Sequence, residues 1–216
     1  MIRIYHHIWP GNGDVGLDIG RAQTERIFHN IKDEFTYHPN IVNYAENECH
    51  TLLKMLEEIK QFNNEDYILF INNKGATKPN EPYQKEWRDY LETSIIDDYT
   101  SHIQMLNKGF DTSGVLLNHK NSALDFMKYW GGSFYPGGFW WTQVKMFDKL
   151  MVNLKNYWSD DVSRYASESN FFTFIHNWNP TTLYPSFENF QIFYKYIIKE
   201  NEINKESFNN RLKHFL

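Results

Sequence analysis

Between Asn72 and Gly75 the chain reads N-N-K-G, directly after the apolar run "YILFI". Amides supply donors and acceptors without charge, a lysine supplies a positive point charge, and a glycine leaves its backbone N–H open to a close ligand. Asn72, Asn73, Lys74 and Gly75 together suit a phosphate or diphosphate, although N-N-K-G is equally an ordinary turn composition. Their spacing is that of neither a Walker loop nor a dinucleotide fingerprint. A second set, Gly137, Gly138, Phe139, Trp140 and Trp141, joins permissive backbone to large rings. Read as the start of a helix, consecutive Trp residues cannot both face one core, so one of them is expected to line a groove or cap an edge. Glu168, in "RYASESNFF", follows Arg164 by four residues. Its plain reading is a surface ion pair on one helix face.

Other polar groups are weaker candidates. His6 and His7 on a first strand point to opposite faces, which argues against joint metal ligation and leaves one of them to face a cleft. Asp97-Asp98 and Asp160-Asp161 have the look of acidic doublets that hold a divalent metal, but adjacent residues of a helix diverge by about 100°. Asp160 and Asp161 would also serve as a helix cap.

These residues need elements to position them. "IRIYHHIW" predicts a strand from Ile2, and "PGNGDVG" predicts a turn with three glycines. A helix is expected over 18–31 with Asp18 as its cap, then a strand within 35–44 displaced by Pro39. In "ENECHTLLKMLEEIKQF", Cys49, Leu52, Leu53, Leu56 and Ile59 fall on one helical face. "YILFI" reads as a buried strand, and strand and helix alternate up to it, which predicts an α/β domain with parallel neighbours. The expected class is a single α/β domain over 1–216, with a Rossmann-like mixed sheet flanked by helices. A long helix is expected over 83–106, with Trp87, Leu91, Ile95, Tyr99 and Ile103 as its core stripe. "DTSGVLLN" reads as a short strand. The Gly-Trp segment reads as a loop entering a helix with Val144, Phe147, Met151 and Leu154 inside. Ligands of such sheets bind where loops diverge at the carboxyl ends of strands, which makes the N-N-K-G and G-G-F-W-W segments candidates for one site.

Composition narrows the function classes. The 216 residues carry a formal charge of −5, with no basic block, so phosphate neutralisation on a nucleic acid is not the expected business. Mean hydropathy is −0.63 and no apolar run is long enough to span a bilayer, from which a soluble cytoplasmic protein without a leader is expected. The lone Cys49 leaves no internal disulfide framework or Cys-rich zinc site. Aromatic residues make up 18% of the chain, which suits either a ring-built core or the stacking of sugar faces.

The order of the motifs adds a further expectation. "ILFINNKGATKP", "EWRDYL", "SGVLLN", "FYPGGFWWTQVKMF" and "RYASESNFF" follow one another over about half of the chain. The series resembles a family of GT-A-type glycosyltransferases of polysaccharide gene clusters and large viruses. In that family a strand ends in His-Thr-Lys-Gly, followed by a Trp-Arg helix, a Gly-Asn-Phe-Trp-Trp loop, and an Arg shortly before Ala-Glu or Ser-Glu. Here Asn72 stands for His, Asn73 for Thr and Gly138 for Asn, and no Asp-x-Asp follows "YILFI".

The resemblance implies sugar transfer from a nucleotide-sugar donor to a glycan or other hydroxyl acceptor. Such transfer needs a base for the attacking hydroxyl and cations or amides for the departing diphosphate. It implies Glu168 as the base. Asn72, Asn73, Lys74, Gly75 and Arg88 would lie on the donor diphosphate, helped or replaced by Mn²⁺ or Mg²⁺. Gly137, Gly138, Trp140 and Trp141 would wall the sugar or the acceptor, and Tyr5 and His6 would lie near the nucleotide. The rivals are a non-catalytic carbohydrate-binding protein and a nucleotidyltransferase.

Overall fold

The computed structural model describes residues 1–11, 14–43, 47–76, 81–115, 135, 137–151 and 171–183. Glu168, Arg164, Asp160, Asp161 and Leu154 lie outside the described residues, as do Asn12 and Gly13 of the first turn. Strands β1 (Ile2–Ile8) and β3 (Tyr67–Asn72) are buried along nearly their whole length, as central strands covered on both faces must be. Along β3, Leu69 and Ile71 enter one apolar core while Ile68 and Phe70 enter another, the period-two alternation of a strand. Strand β2 (Phe35–Ile41) is only partly buried and forms one edge. Pro39 is accommodated there because an edge strand needs ladder donors on one side only.

Helix α1 (Val15–Asn30) joins β1 to β2, and α2 (Glu48–Glu58) joins β2 to β3. Asn47 caps α2 by accepting the Cys49 N–H at 2.9 Å. Helix α1 starts after Asp14, at φ 63°, so Asp18 sits in its first turn and is not its cap. Beyond β3 lie α3 (Pro82–Glu92), α4 (Tyr99–Asn107), β4 (Thr112–Val115), β5 (Trp140–Gln143) and β6 (Pro180–Leu183). Among the described residues the sheet has six strands in the order β2-β1-β3-β5-β4-β6, with β5 antiparallel to both of its neighbours and the other pairs parallel. The expected α/β mixed sheet flanked by helices is therefore what the chain forms.

Two expectations change. The helix expected over 83–106 is broken by a π-helical stretch, Thr93–Asp97. Side chains at four-residue steps drift by about 40° per step around an α-helix, and a wider π turn takes back part of that drift. The stripe Trp87, Leu91, Ile95, Tyr99 and Ile103 thus stays on the core despite the break. The carbonyls that the break frees are satisfied from outside, Ile95 by the Trp141 indole N–H at 2.9 Å and Ser94 by the His102 ring at 2.8 Å.

The second change concerns the Gly-Trp segment, which is strand β5 and not a helix entrance. A strand sends neighbouring side chains to opposite faces, so Trp140 and Trp141 are both buried, at 3% and 0% exposure, one in each core. The residues that follow form a 3₁₀ turn, Val144–Lys149, and Met151 is exposed. Among the described residues no helix is long and apolar enough to cross a membrane.

Candidate functional site

Strand β1 feeds β2 on one side and β3 lies on the other, so strand order reverses between β1 and β3. Ligands of open α/β sheets bind in the crevice at such a switch point, beyond the carboxyl ends of the strands. Two turns meet there. After β1, Gly11 adopts φ +74°, and a Cβ on it would stand 3.1 Å from the Ala76 carbonyl of the second turn. The Gly16 N–H donates to the Pro10 carbonyl at 2.6 Å. A Cβ on Gly16 would fall 1.9 Å from the Trp9 carbonyl oxygen, so only glycine lets α1 approach the end of β1 this closely. Gly11, Gly13 and Gly16 have G-x-G-x-x-G spacing in the sequence, which runs from the end of β1 into the first turn of α1. That spacing is the signal the sequence reading passed over when it treated the segment as a plain turn.

After β3, the Ala76 N–H donates to the Asn73 carbonyl at 3.2 Å and Gly75 has φ +87°, which makes 73–76 a type II turn with glycine where φ must be positive. Asn73 binds this turn to the first one. Its Nδ2 donates to the Trp9 carbonyl at 2.6 Å and to the Gly16 carbonyl at 2.8 Å, and its Oδ1 accepts the Trp9 N–H at 3.1 Å. Asn72 is used differently: its Nδ2 donates to the Gly137 carbonyl at 3.0 Å, while among the described residues its buried Oδ1 has no hydrogen-bond partner. Lys74 is buried to 7% exposure beside these amides.

Behind the second turn stands a buried polar network. Arg88 Nη1 donates to the Lys74 carbonyl at 3.0 Å, and its Nε lies 3.7 Å from Glu92 Oε1. Glu92 also accepts from Gln23 Nε2 at 2.8 Å and pairs with Arg26 at 3.1 Å. Burial pushes the Glu92 carboxyl above its ordinary range, against the Gln23 hydrogen bond and the two guanidinium groups, which pull the other way. Gln23 Nε2 donates as well to the Asn72 carbonyl at 3.2 Å. With that nitrogen committed, Gln23 Oε1 accepts from His6 Nε2–H at 2.9 Å, and His6 Nδ1 lies 2.8 Å from the Tyr37 hydroxyl. Burial holds the His6 ring neutral, down to a pKa of about 3.

The sequence candidates therefore separate. Asn72, Asn73, Lys74, Gly75 and Arg88 come together at the carboxyl end of β3. His6 lies beneath it, fully enclosed with both ring nitrogens engaged, and does not face a cleft. Tyr5 points to the opposite face, where its hydroxyl donates to Glu58 at 2.7 Å; burial first, then Glu58, raises its pKa. Gly137 and Gly138 both have positive φ and pack against Leu91 and the Asn72 amide. Trp141 is wholly internal, and Trp140 stacks between Phe70 and Phe171, with a small pocket beside it toward Glu48 and Gly138. The Trp pair is thus packed into the two cores among the described residues. Asp97 and Asp98 diverge as expected, Asp97 toward Arg26 and Asn30 and Asp98 toward Ser101.

Divalent cations of the Mg²⁺ kind are held by oxygens that include one or two carboxylates. Among the described residues the buried amide oxygens of Asn72 and Gln84 lie around the turn after β3, beside Lys74 and Arg88, and neutral amides next to two cations do not fit such an ion. Nor does any group of three His, Cys, Asp or Glu side chains converge among the described residues. No family model matches this chain, and no curated protein or solved structure matches it.

Proposed function

We propose that the chain is a glycosyltransferase that moves a sugar from a nucleotide-sugar donor to a hydroxyl of a glycan or other acceptor. The observation that supports this most is the pair of turns at the switch point. The turn after β3, which carries Lys74 and Gly75, packs against the glycine turn after β1, and on this reading a donor diphosphate would rest beside the two. The motif order from "NNKG" through "WR" and "GGFWW" to "SES" adds the sugar-transfer reading to that phosphate chemistry. In the reaction the acceptor oxygen bonds to the anomeric carbon as the bond from that carbon to the diphosphate breaks. The diphosphate leaves with the electron pair, and the acceptor proton goes to Glu168.

Among the described residues most aromatic side chains lie in or against the two cores, where they are not free to stack on a sugar. A panel of nucleotide sugars assayed for nucleoside diphosphate release, with and without Mn²⁺, tests the proposal. Wild-type protein is expected to turn over at least one donor and Glu168→Gln to lose that turnover. Unchanged turnover in Glu168→Gln removes Glu168 as base, and no turnover of any donor removes the class. Release of pyrophosphate from a nucleoside triphosphate would favour a nucleotidyltransferase instead.

A further inference from the structure

The Lys74–Gly75 peptide is held at its carbonyl by Arg88. A trans peptide sends its C=O and N–H in opposite directions, so the guanidinium that takes the Lys74 carbonyl turns the Gly75 N–H away from α3. Gly75 is buried, yet among the described residues nothing accepts its N–H. Buried backbone donors without an acceptor are rare in folded proteins, and one beside Lys74 at a switch-point crevice calls for an anionic oxygen. The same guanidinium cannot readily reach that oxygen, because its hydrogen bond places it on the carbonyl side of the turn. We propose that Arg88 is a positioning residue: by holding the Lys74 carbonyl, with Glu92 as its anchor, it aims the Gly75 N–H at a diphosphate oxygen of the ligand. Glu92 anchors the turn twice, since Gln23, which it also holds, binds the Asn72 carbonyl two residues earlier. This inference rests on the reading of the crevice as a diphosphate site, and it withdraws Arg88 from direct contact with the ligand.

The test is titration of the full chain with inorganic pyrophosphate and with a panel of nucleoside diphosphates, read by calorimetry and by the Gly75 amide resonance. Wild-type protein binds at least one of them, and its Gly75 resonance moves. Glu92→Gln separates positioning from charge. Removing a negative charge near an anion tightens binding by Coulomb's law, whereas loss of the anchor weakens it, here by about tenfold for one hydrogen bond's worth of alignment. Equal or tighter binding by a folded Glu92→Gln protein overturns the proposal. Arg88→Lys supplies the second measurement, made without ligand: the Gly75 amide resonance shifts and its hydrogen exchanges faster. An unchanged resonance means that Arg88 does not set the turn. Diphosphate binding without turnover of any nucleotide sugar removes the glycosyltransferase reading and leaves this one standing. Turnover with unaltered affinity in Glu92→Gln does the reverse, and no binding of any diphosphate by the wild type removes both.

Discussion

Acid should destabilise this protein through His6, by an amount that the burial of the ring sets. The ring is fully enclosed, and desolvation outweighs its hydrogen bond to Gln23, so the folded state resists protonation until pH falls to about 3. In the unfolded chain a histidine takes up its proton near pH 6.5. The folded pKa is depressed, so the stability His6 contributes is fully present above 6.5 and is lost as pH falls from there toward 3. Protons bound only by the unfolded chain cost up to about 1.4 kcal/mol per pH unit, which makes about 2 kcal/mol at pH 5. His102, between Ser113 and the Ser94 carbonyl and lowered by burial to about 4, loses a similar amount over the same interval. Together the two rings remove about 4 kcal/mol between pH 7.5 and 5, against a usual total of about 5–15 kcal/mol. Glu92 acts in the opposite sense, since its raised pKa lets the folded state take up a proton more readily as pH falls.

Urea denaturation at pH 7.5, 6 and 5 on wild type, His6→Gln and His102→Gln isolates each ring, because every other titrating group is common to the three proteins. Each variant is expected to be less stable than wild type at pH 7.5, having lost a satisfied buried group. Between pH 7.5 and 5, however, each should lose about 2 kcal/mol less than wild type. A His6→Gln protein whose stability falls as steeply as that of wild type would show that the ring is not held neutral. The hydrogen-bond assignment through Gln23 would then fail with it. The C–H resonances of the His6 ring give the same answer directly, and are expected not to titrate between pH 7.5 and 5.

Asn73→Ala removes three hydrogen bonds and strands the Trp9 N–H, and is expected to cost about 2–4 kcal/mol in urea unfolding. Asn72→Ala removes a single one and should cost about 1 kcal/mol; equal losses would refute the division of labour between the two amides. Trp141→Phe keeps most of the buried ring but leaves the Ile95 carbonyl in the π turn without its donor, for a loss of about 1–3 kcal/mol seen as a lower melting temperature.

What could be read from the sequence followed from local patterning. "YILFI" announced a buried strand with a polar end, and the opposite facing of His6 and His7 followed from strand period alone. The apolar face over Cys49, Leu52 and Ile59 likewise fixed α2. Misreadings arose where two periods coincide. Val144 and Phe147 are three apart, which suits a 3₁₀ turn as well as an α-helix, and this concealed the four-residue strand that carries both Trp residues. A four-residue stripe likewise looks continuous across a π turn. The hydrogen-bond network was out of reach for another reason. Asn73 finds its partners 57 to 64 residues away, and Gln23 meets Glu92 across 69 residues. Only the fold supplies such pairings.

The amide at position 73 can now be explained by the turn it faces. The tight approach of Gly16 to β1 leaves the Trp9 and Gly16 carbonyls and the Trp9 N–H directed at one point, and a side chain there must donate twice and accept once. An asparagine does this with a single group, whereas an aspartate would turn acceptors toward two carbonyls and a threonine would bring only one proton. The neutral residue where the resembled family carries Thr is therefore dictated by the glycine turn across the crevice, and a carboxylate at that position would break the junction between the two turns. Asn72 is under no such demand. Among the described residues its buried Oδ1 accepts no hydrogen bond, and on the proposed reading that oxygen and the Gly75 N–H are left for a ligand to complete.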